Sequence, residues 1–190
     1  MFYIFTILFF AKMADLCYII HRQLECVQIL LESINNMATE IERKFLLKDD
    51  SWKKDVVRSV KMRQNYLAQK PAVRVRLAGE CGFITIKSAV KGCARAEYEY
   101  AIPAADASEM LDHLCNGYEV CKVRHIVSYC GKIWEVDVFE GLNDGLVLAE
   151  IELLDKDEAF DIPPWLGEEV TMDGSYYNSS LARLPWTMRH

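Results

Sequence analysis

Glu40-Ile41-Glu42-Arg43-Lys44-Phe45-Leu46 is the stretch on which the fold turns. In an extended strand successive side chains point to opposite faces, so Glu40, Glu42 and Lys44 share one side while Ile41, Arg43 and Phe45 take the other. One surface of the strand is therefore charged. The pattern returns along the chain with Arg74 and Arg76, Thr85 and Lys87, Arg95 with Glu97 and Glu99, Lys122 and Arg124, Glu135 and Asp137, and Glu150 and Glu152. A solvated outer face explains any one of these strands taken alone. The signs, however, are segregated: Arg74 and Arg76 are basic as a pair, and Glu135 and Asp137 are acidic as a pair. Ordinary solubility faces mix signs. Alternation by itself leaves open whether these faces meet water or one another.

The runs between turn signals predict eight strands: Thr39 to Leu47, Val60 to Gln69, Val73 to Glu80, Phe83 to Ala89, Ala94 to Ile102, Glu119 to Tyr129, Ile133 to Glu140 and Leu146 to Leu154. Cys81-Gly82, Gly131-Lys132 and Asn143-Asp144-Gly145 supply short turns, so consecutive strands pair antiparallel. Helical pieces are expected at Ser51 to Arg58, at Ala105 to Asn116 with Gly117 as the cap, and at Ser175 to Leu184. If the charged faces line a closed barrel, carboxylates 4 Å apart repel by roughly 4 kcal/mol per pair at an effective dielectric near 20. A hard divalent ion, Mg²⁺ or Mn²⁺, relieves the acidic side. An extended polyanion whose phosphates lie along Arg and Lys donors suits the basic side.

At 190 residues the chain has room for one domain with a sizeable core, and 52% hydrophobic with 26% charged residues excludes a disordered chain. The balance of 22 Lys plus Arg against 28 Asp plus Glu, a net charge of -6, gives no overall field for nucleic acid. Seven cysteines without CxxC spacing or a His pair suggest neither a disulfide framework nor a zinc site, and read as reduced thiols of a cytoplasmic protein. Residues Phe2 to Ala11 form an apolar run too short to span a bilayer, and they lack the basic flank of a signal peptide. Helical spacing from Leu16 to Ile34 follows. Residues 1–36 are read as an N-terminal extension, helical or the product of an upstream start, and residues 37–190 as the domain.

Glu40-Ile41-Glu42-Arg43-Lys44 resembles the ExExK signature of the CYTH superfamily, the triphosphate tunnel metalloenzymes. In order, Gln64-Asn65-Tyr66-Leu67, Val73-Arg74-Val75-Arg76, Thr85-Ile86-Lys87-Ser88, Arg95-Ala96-Glu97-Tyr98-Glu99, Lys122-Val123-Arg124, Trp134 to Phe139, Ala149-Glu150-Ile151-Glu152 and Pro164 to Thr171 are similar to successive pieces of its bacterial members. The resemblance covers Met37 to about Pro185. It implies a mostly β, α+β fold: an eight-stranded closed antiparallel β-barrel, or tunnel, with a few flanking helices. It also implies Mg²⁺ or Mn²⁺ dependence and hydrolysis of inorganic triphosphate or a related small triphosphate. By that resemblance Glu40, Glu42, Glu135, Asp137, Glu150 and Glu152 are metal-side residues. Lys44, Arg74, Arg76, Lys87, Arg95, Lys122 and Arg124 grip phosphates, and Lys122 is the candidate general base. Tyr176-Tyr177-Asn178 resembles the helix that closes one tunnel end. The alternatives are an adenylate cyclase, a thiamine triphosphatase and a non-catalytic polyphosphate- or nucleotide-binding module. No nucleic-acid partner and no stable membrane span are expected, and a homodimer is allowed.

Overall fold

The computed structural model describes residues 41–87 and 97–189. Glu40, Arg95 and the extension at 1–36 lie outside the described residues. Nine strands form: β1 (Ile41–Leu47), β2 (Val56–Gln69), β3 (Ala72–Ala78), β4 (Cys81–Lys87), β5 (Glu97–Ile102), β6 (Asn116–Tyr129), β7 (Lys132–Glu140), β8 (Val147–Leu153) and β9 (Leu166–Glu169). Two α-helices accompany them among the described residues, α1 (Ala104–His113) and the single turn α2 (Asn178–Leu181). All strands join one antiparallel sheet in the order β5-β4-β3-β2-β6-β7-β8-β1-β9.

The expected closed eight-stranded barrel is not what forms. Among the described residues β5 and β9 are the two edges of the sheet, and no ladder joins them. The outer edge of β1 is taken by β9, which pairs Phe45 with Glu169 and Leu47 with Leu166. Alternation dictates which face a side chain takes. It does not dictate closure, which depends on strand tilt and stagger around the whole sheet.

Three apolar clusters hold the sheet. On the face opposite the charges, Phe45, Val127, Trp134, Val136, Ala149 and Ile151 are buried with Trp52, Trp165 and Leu166. Trp134 stands edge-on to Trp165 at 5.5 Å and to Phe45 at 5.8 Å, a T-shaped geometry favoured by ring quadrupoles. The same face carries α1 farther along, where Ala107 and Leu111 pack with Val75. This approach requires Gly82, since a Cβ there would lie 2.8 Å from the Cβ of Ala107. The third cluster, Tyr66, Val120, Phe139, Leu146, Leu148, Val170, Leu181 and Ala182, lies on the charged side of the sheet and brings the C-terminal segment against it.

Several local expectations shift. The piece at Ser51 is a 3-10 turn ending at Asp55, after which β2 begins directly. Helix α1 ends at His113, and Gly117 lies within β6. There its φ of +88° and the Ala182 carbonyl, 2.6 Å from where a Cβ would sit, leave room for no side chain. The helix expected over Ser175 to Leu184 breaks into a 3-10 turn at Gly174–Tyr176 and α2. Cys115, Cys121 and Cys130 are free thiols, as expected, whereas Cys81 is disulfide-bonded. Among the described residues no helix is long and apolar enough to cross a membrane.

Candidate functional site

Strand register puts the expected site residues on one face. Glu42 lies opposite Glu152 and Lys44 opposite Glu150, while Glu150 also faces Glu135. Arg124 lies opposite Asp137, Arg74 opposite Thr85, and Lys87 opposite Glu97. Directly paired residues share a face, so the described candidates Glu42, Lys44, Arg74, Arg76, Lys87, Lys122, Arg124, Glu135, Asp137, Glu150 and Glu152 occupy one surface from β1 to β4.

At its centre the network is dense. Arg124 donates Nε to Asp137 Oδ1 and Nη2 to Asp137 Oδ2, both at 2.7 Å, and Nη2 also reaches Glu150 Oε2 at 2.9 Å. Its Nη1 pairs with Glu135. Lys122 pairs with Asp137, and the two are 1% and 0% exposed. Lys44 donates to Glu150 Oε1 at 2.5 Å and pairs with Glu42. The carboxylates of β7 and β8 are thus paired with lysines and an arginine of the neighbouring strands.

These contacts set the protonation states. Burial alone would raise the Asp137 carboxyl, but the Arg124 guanidinium and Lys122 ammonium hold it below the usual carboxylate range. Burial acts likewise on Glu150, and Lys44 and Arg124 overcome it, so this carboxylate too stays ionised. For Lys122 burial wins: removal from water, with Arg124 close by, brings the ammonium down to about 8 despite its carboxylate partners. Arg124 goes the opposite way, because Asp137 and Glu135 outweigh its desolvation.

The other flank is built differently. Arg76 Nη2 donates to Glu99 Oε1 at 2.8 Å, and Arg74 Nη2 reaches Thr85 Oγ1 at 3.1 Å and Glu99 Oε2 at 3.3 Å. Thr85 donates to Glu99 at 2.6 Å, and Lys87 pairs with Glu97 at 2.6 Å. Burial together with Arg74 weakens the hold of Arg76 on its proton, though Glu99 opposes this. Both Nε–H groups, of Arg74 and of Arg76, are buried without an acceptor. Glu97, Glu99 and Thr85 were visible as alternating partners of the basic residues but were not expected in the site. Their period-two spacing on β4 and β5 was the available signal.

Among the described residues no set of three or more His, Cys, Asp or Glu side chains converges closely enough to hold an ion. The side with suitable chemistry is β7-β8-β1, where Glu135 and Glu150, and Glu42 and Glu152, are direct cross-strand neighbours. These are hard oxygen donors of the kind Mg²⁺ and Mn²⁺ take.

An antiparallel sheet that carries interlocked cations and carboxylates on one face and its aromatic core on the other defines a class of charged-face β proteins. The CYTH domain model matches residues 38–183, and the chain belongs to that family. It is 42% identical over 152 residues to an inorganic triphosphatase of Acetivibrio thermocellus, covering 79% of this chain and 97% of that one. An inorganic triphosphatase of Nitrosomonas europaea is 40% identical over 150 residues, covering 76% of this chain and 97% of its own. A crystal structure of an inorganic triphosphatase matches with a TM-score of 0.59 and 37% identity, covering 77% of this chain and 95% of that chain.

Proposed function

We propose that this protein hydrolyses inorganic triphosphate, or a related small triphosphate, on the charged face of its sheet. The observation that carries the reading is the division of that face into a flank with spare cationic donors, Arg74 and Arg76, and a carboxylate-rich flank on β7, β8 and β1. The relatives named inorganic triphosphatase support it over nearly their whole length.

Phosphoryl transfer asks a protein mainly for positioning and for neutralisation of the phosphate oxygens. In this reading Arg74, Arg76, Lys87, Arg95, Lys44 and Arg124 bind phosphates. Fork-shaped guanidinium donors suit adjacent phosphate oxygens. Lys122 is the proposed base: an amine near 8 holds a usable neutral fraction at neutral pH and is oriented by Asp137. Mg²⁺ or Mn²⁺, held by Glu40, Glu42, Glu150 and Glu152 with Glu135 beside them, would neutralise phosphate charge when bound. Asp137, with both oxygens engaged by Arg124 and Lys122, acts here by positioning those two cations.

Phosphate release from tripolyphosphate, ATP, GTP and thiamine triphosphate, each with Mg²⁺ and with Mn²⁺, tests this reading. Tripolyphosphate is expected to be the preferred substrate. Release from none of them above that of a Glu42→Gln control would reject hydrolysis.

A further inference from the structure

Gln64 lies in β2 directly opposite Arg76 on one side and Val120 on the other, so its side chain shares the charged face. It is 1% exposed, and its Nε2 has no hydrogen-bond acceptor. Leaving a buried amide donor unsatisfied is costly, and native proteins keep few such groups. Other donors in this condition are the indoles of Trp52, Trp134 and Trp165, in the aromatic core on the opposite face, and Nδ2 of Asn143, in the turn that follows β7. On the charged face the unpartnered donors gather instead at adjoining positions of β2 and β3: Gln64 Nε2, Arg74 Nε and Arg76 Nε. All three are donors, and direct cross-strand pairing brings side chains to about 5 Å at Cβ. Such a set matches the oxygens of an anion.

What surrounds Gln64 says where along the anion it acts. Two residues farther along the strand, on the same face, is buried Tyr66, and across the ladder is Val120. Both belong to the apolar cluster that Leu181 and Ala182 complete. Gln64 therefore stands where the charged surface gives way to an apolar wall.

We propose that Gln64 is a substrate-binding residue, donating its side-chain amide to a terminal phosphate that Arg74 and Arg76 also hold. This rests on the triphosphatase reading above. A neutral amide at this place adds a directional donor without adding positive charge beside two guanidiniums. Gln64 is the last polar side chain before that wall, so the part of the anion it meets is its end, a terminal phosphoryl group.

Gln64→Leu, close in size and without the donor, tests the assignment by kinetics and by thermal unfolding with and without tripolyphosphate. The expected result is a rise in KM of about tenfold, the loss of one hydrogen bond to a charged group, with kcat within about twofold of wild type. Without ligand the variant should melt at or above the wild-type temperature, since a buried unsatisfied amide has been removed, and the stabilisation by tripolyphosphate should shrink. An unchanged KM and an unchanged ligand-induced shift would overturn the proposal. So would a variant that melts several degrees lower yet responds normally to ligand, because that is the signature of a packing role. If the leucine variant does not fold, Gln64→Met is judged by the same two readouts. A wild-type chain that is stabilised by tripolyphosphate but releases no phosphate rejects hydrolysis while leaving Gln64 to be judged on the shift alone. One that does neither rejects both.

Discussion

The two flanks of the charged face are made from the same alternating strands, yet they end in opposite electrostatic conditions. Around β6, β7, β8 and β1 Asp137 and Glu150 have cationic partners at both oxygens, and Lys122 and Asp137 are closed off from water. Around β2 and β3 donors outnumber acceptors, and three of them are buried without partners. A satisfied network rigidifies a structure, whereas spare buried donors are a liability that an incoming acceptor relieves. The first flank is accordingly a rigid scaffold that fixes the proposed base Lys122, and the second is the anion's berth.

That contrast is most easily broken by removing one group from each flank. Asp137→Ala leaves Lys122 and Arg124 buried against each other, and loss of one partner from a buried ion network costs about 3–5 kcal/mol. Urea denaturation should show a drop of that order. Arg76→Ala should leave the unfolding free energy within about 1 kcal/mol of wild type, because it relieves the desolvation of Arg76 and its proximity to Arg74 while giving up its contact with Glu99. The kcat/KM for tripolyphosphate should nevertheless fall about 10- to 100-fold, the worth of charge-assisted hydrogen bonds to phosphate. If both variants lose stability alike, the division into scaffold and berth fails.

A pH profile sharpens the same division. With Lys122 as the proposed base, the productive form is the neutral amine, and the group titrates at about 8. Below that pH the neutral fraction falls about tenfold per unit, so kcat should climb with pH and level off above 8. Lys122→Arg stays protonated throughout and should lose the climb along with most of the turnover. A wild-type profile that is flat between pH 6 and 9 would remove Lys122 from the role of base.

Much of this arrangement was legible residue by residue, and its failures have a common cause. Strands such as Lys132–Glu140 and Val147–Leu153 announce themselves because Trp134, Val136 and Val138 alternate with Glu135 and Asp137, and Ala149 and Ile151 with Glu150 and Glu152. The identity of the charged face follows from that alternation. Who neutralises whom does not: Lys122 and Asp137 stand on different strands, and only the β6–β7 register brings them together. Repulsion between carboxylates follows from each acidic strand taken alone, whereas the pairing of Arg124 with Asp137, Glu135 and Glu150 needs three strands side by side. The open sheet was missed for a similar reason. Leu166-Gly167-Glu168-Glu169 has no period to read, and it becomes a strand only because Phe45 and Leu47 offer it an edge. Gly117 looked like a helix cap because its need is for space beside Ala182, a residue far away in sequence.

The smallest expected effect concerns that edge, and it sets an exposed ion pair against the buried ones. Arg43 points away from the charged face, donates Nε to Glu169 Oε1 at 2.8 Å, and lies over the rings of Phe45 and Phe160 at 5.4 and 5.1 Å. Both charged partners reach solvent. Water and salt screen such a pair, and the ring contacts add a few tenths of a kcal/mol at an exposed site. Arg43→Ala should therefore cost about 1 kcal/mol or less in global stability, well under the cost of Asp137→Ala. Its effect should be local, because the pair ties the far end of β9 to β1. Hydrogen exchange should quicken at the Val170 amide, which donates to the Lys44 carbonyl at 2.8 Å, while amides of β6 and β7 keep their protection. A loss as large as that of Asp137→Ala would mean that the edge strand, and not the interior network, holds the acidic flank in place.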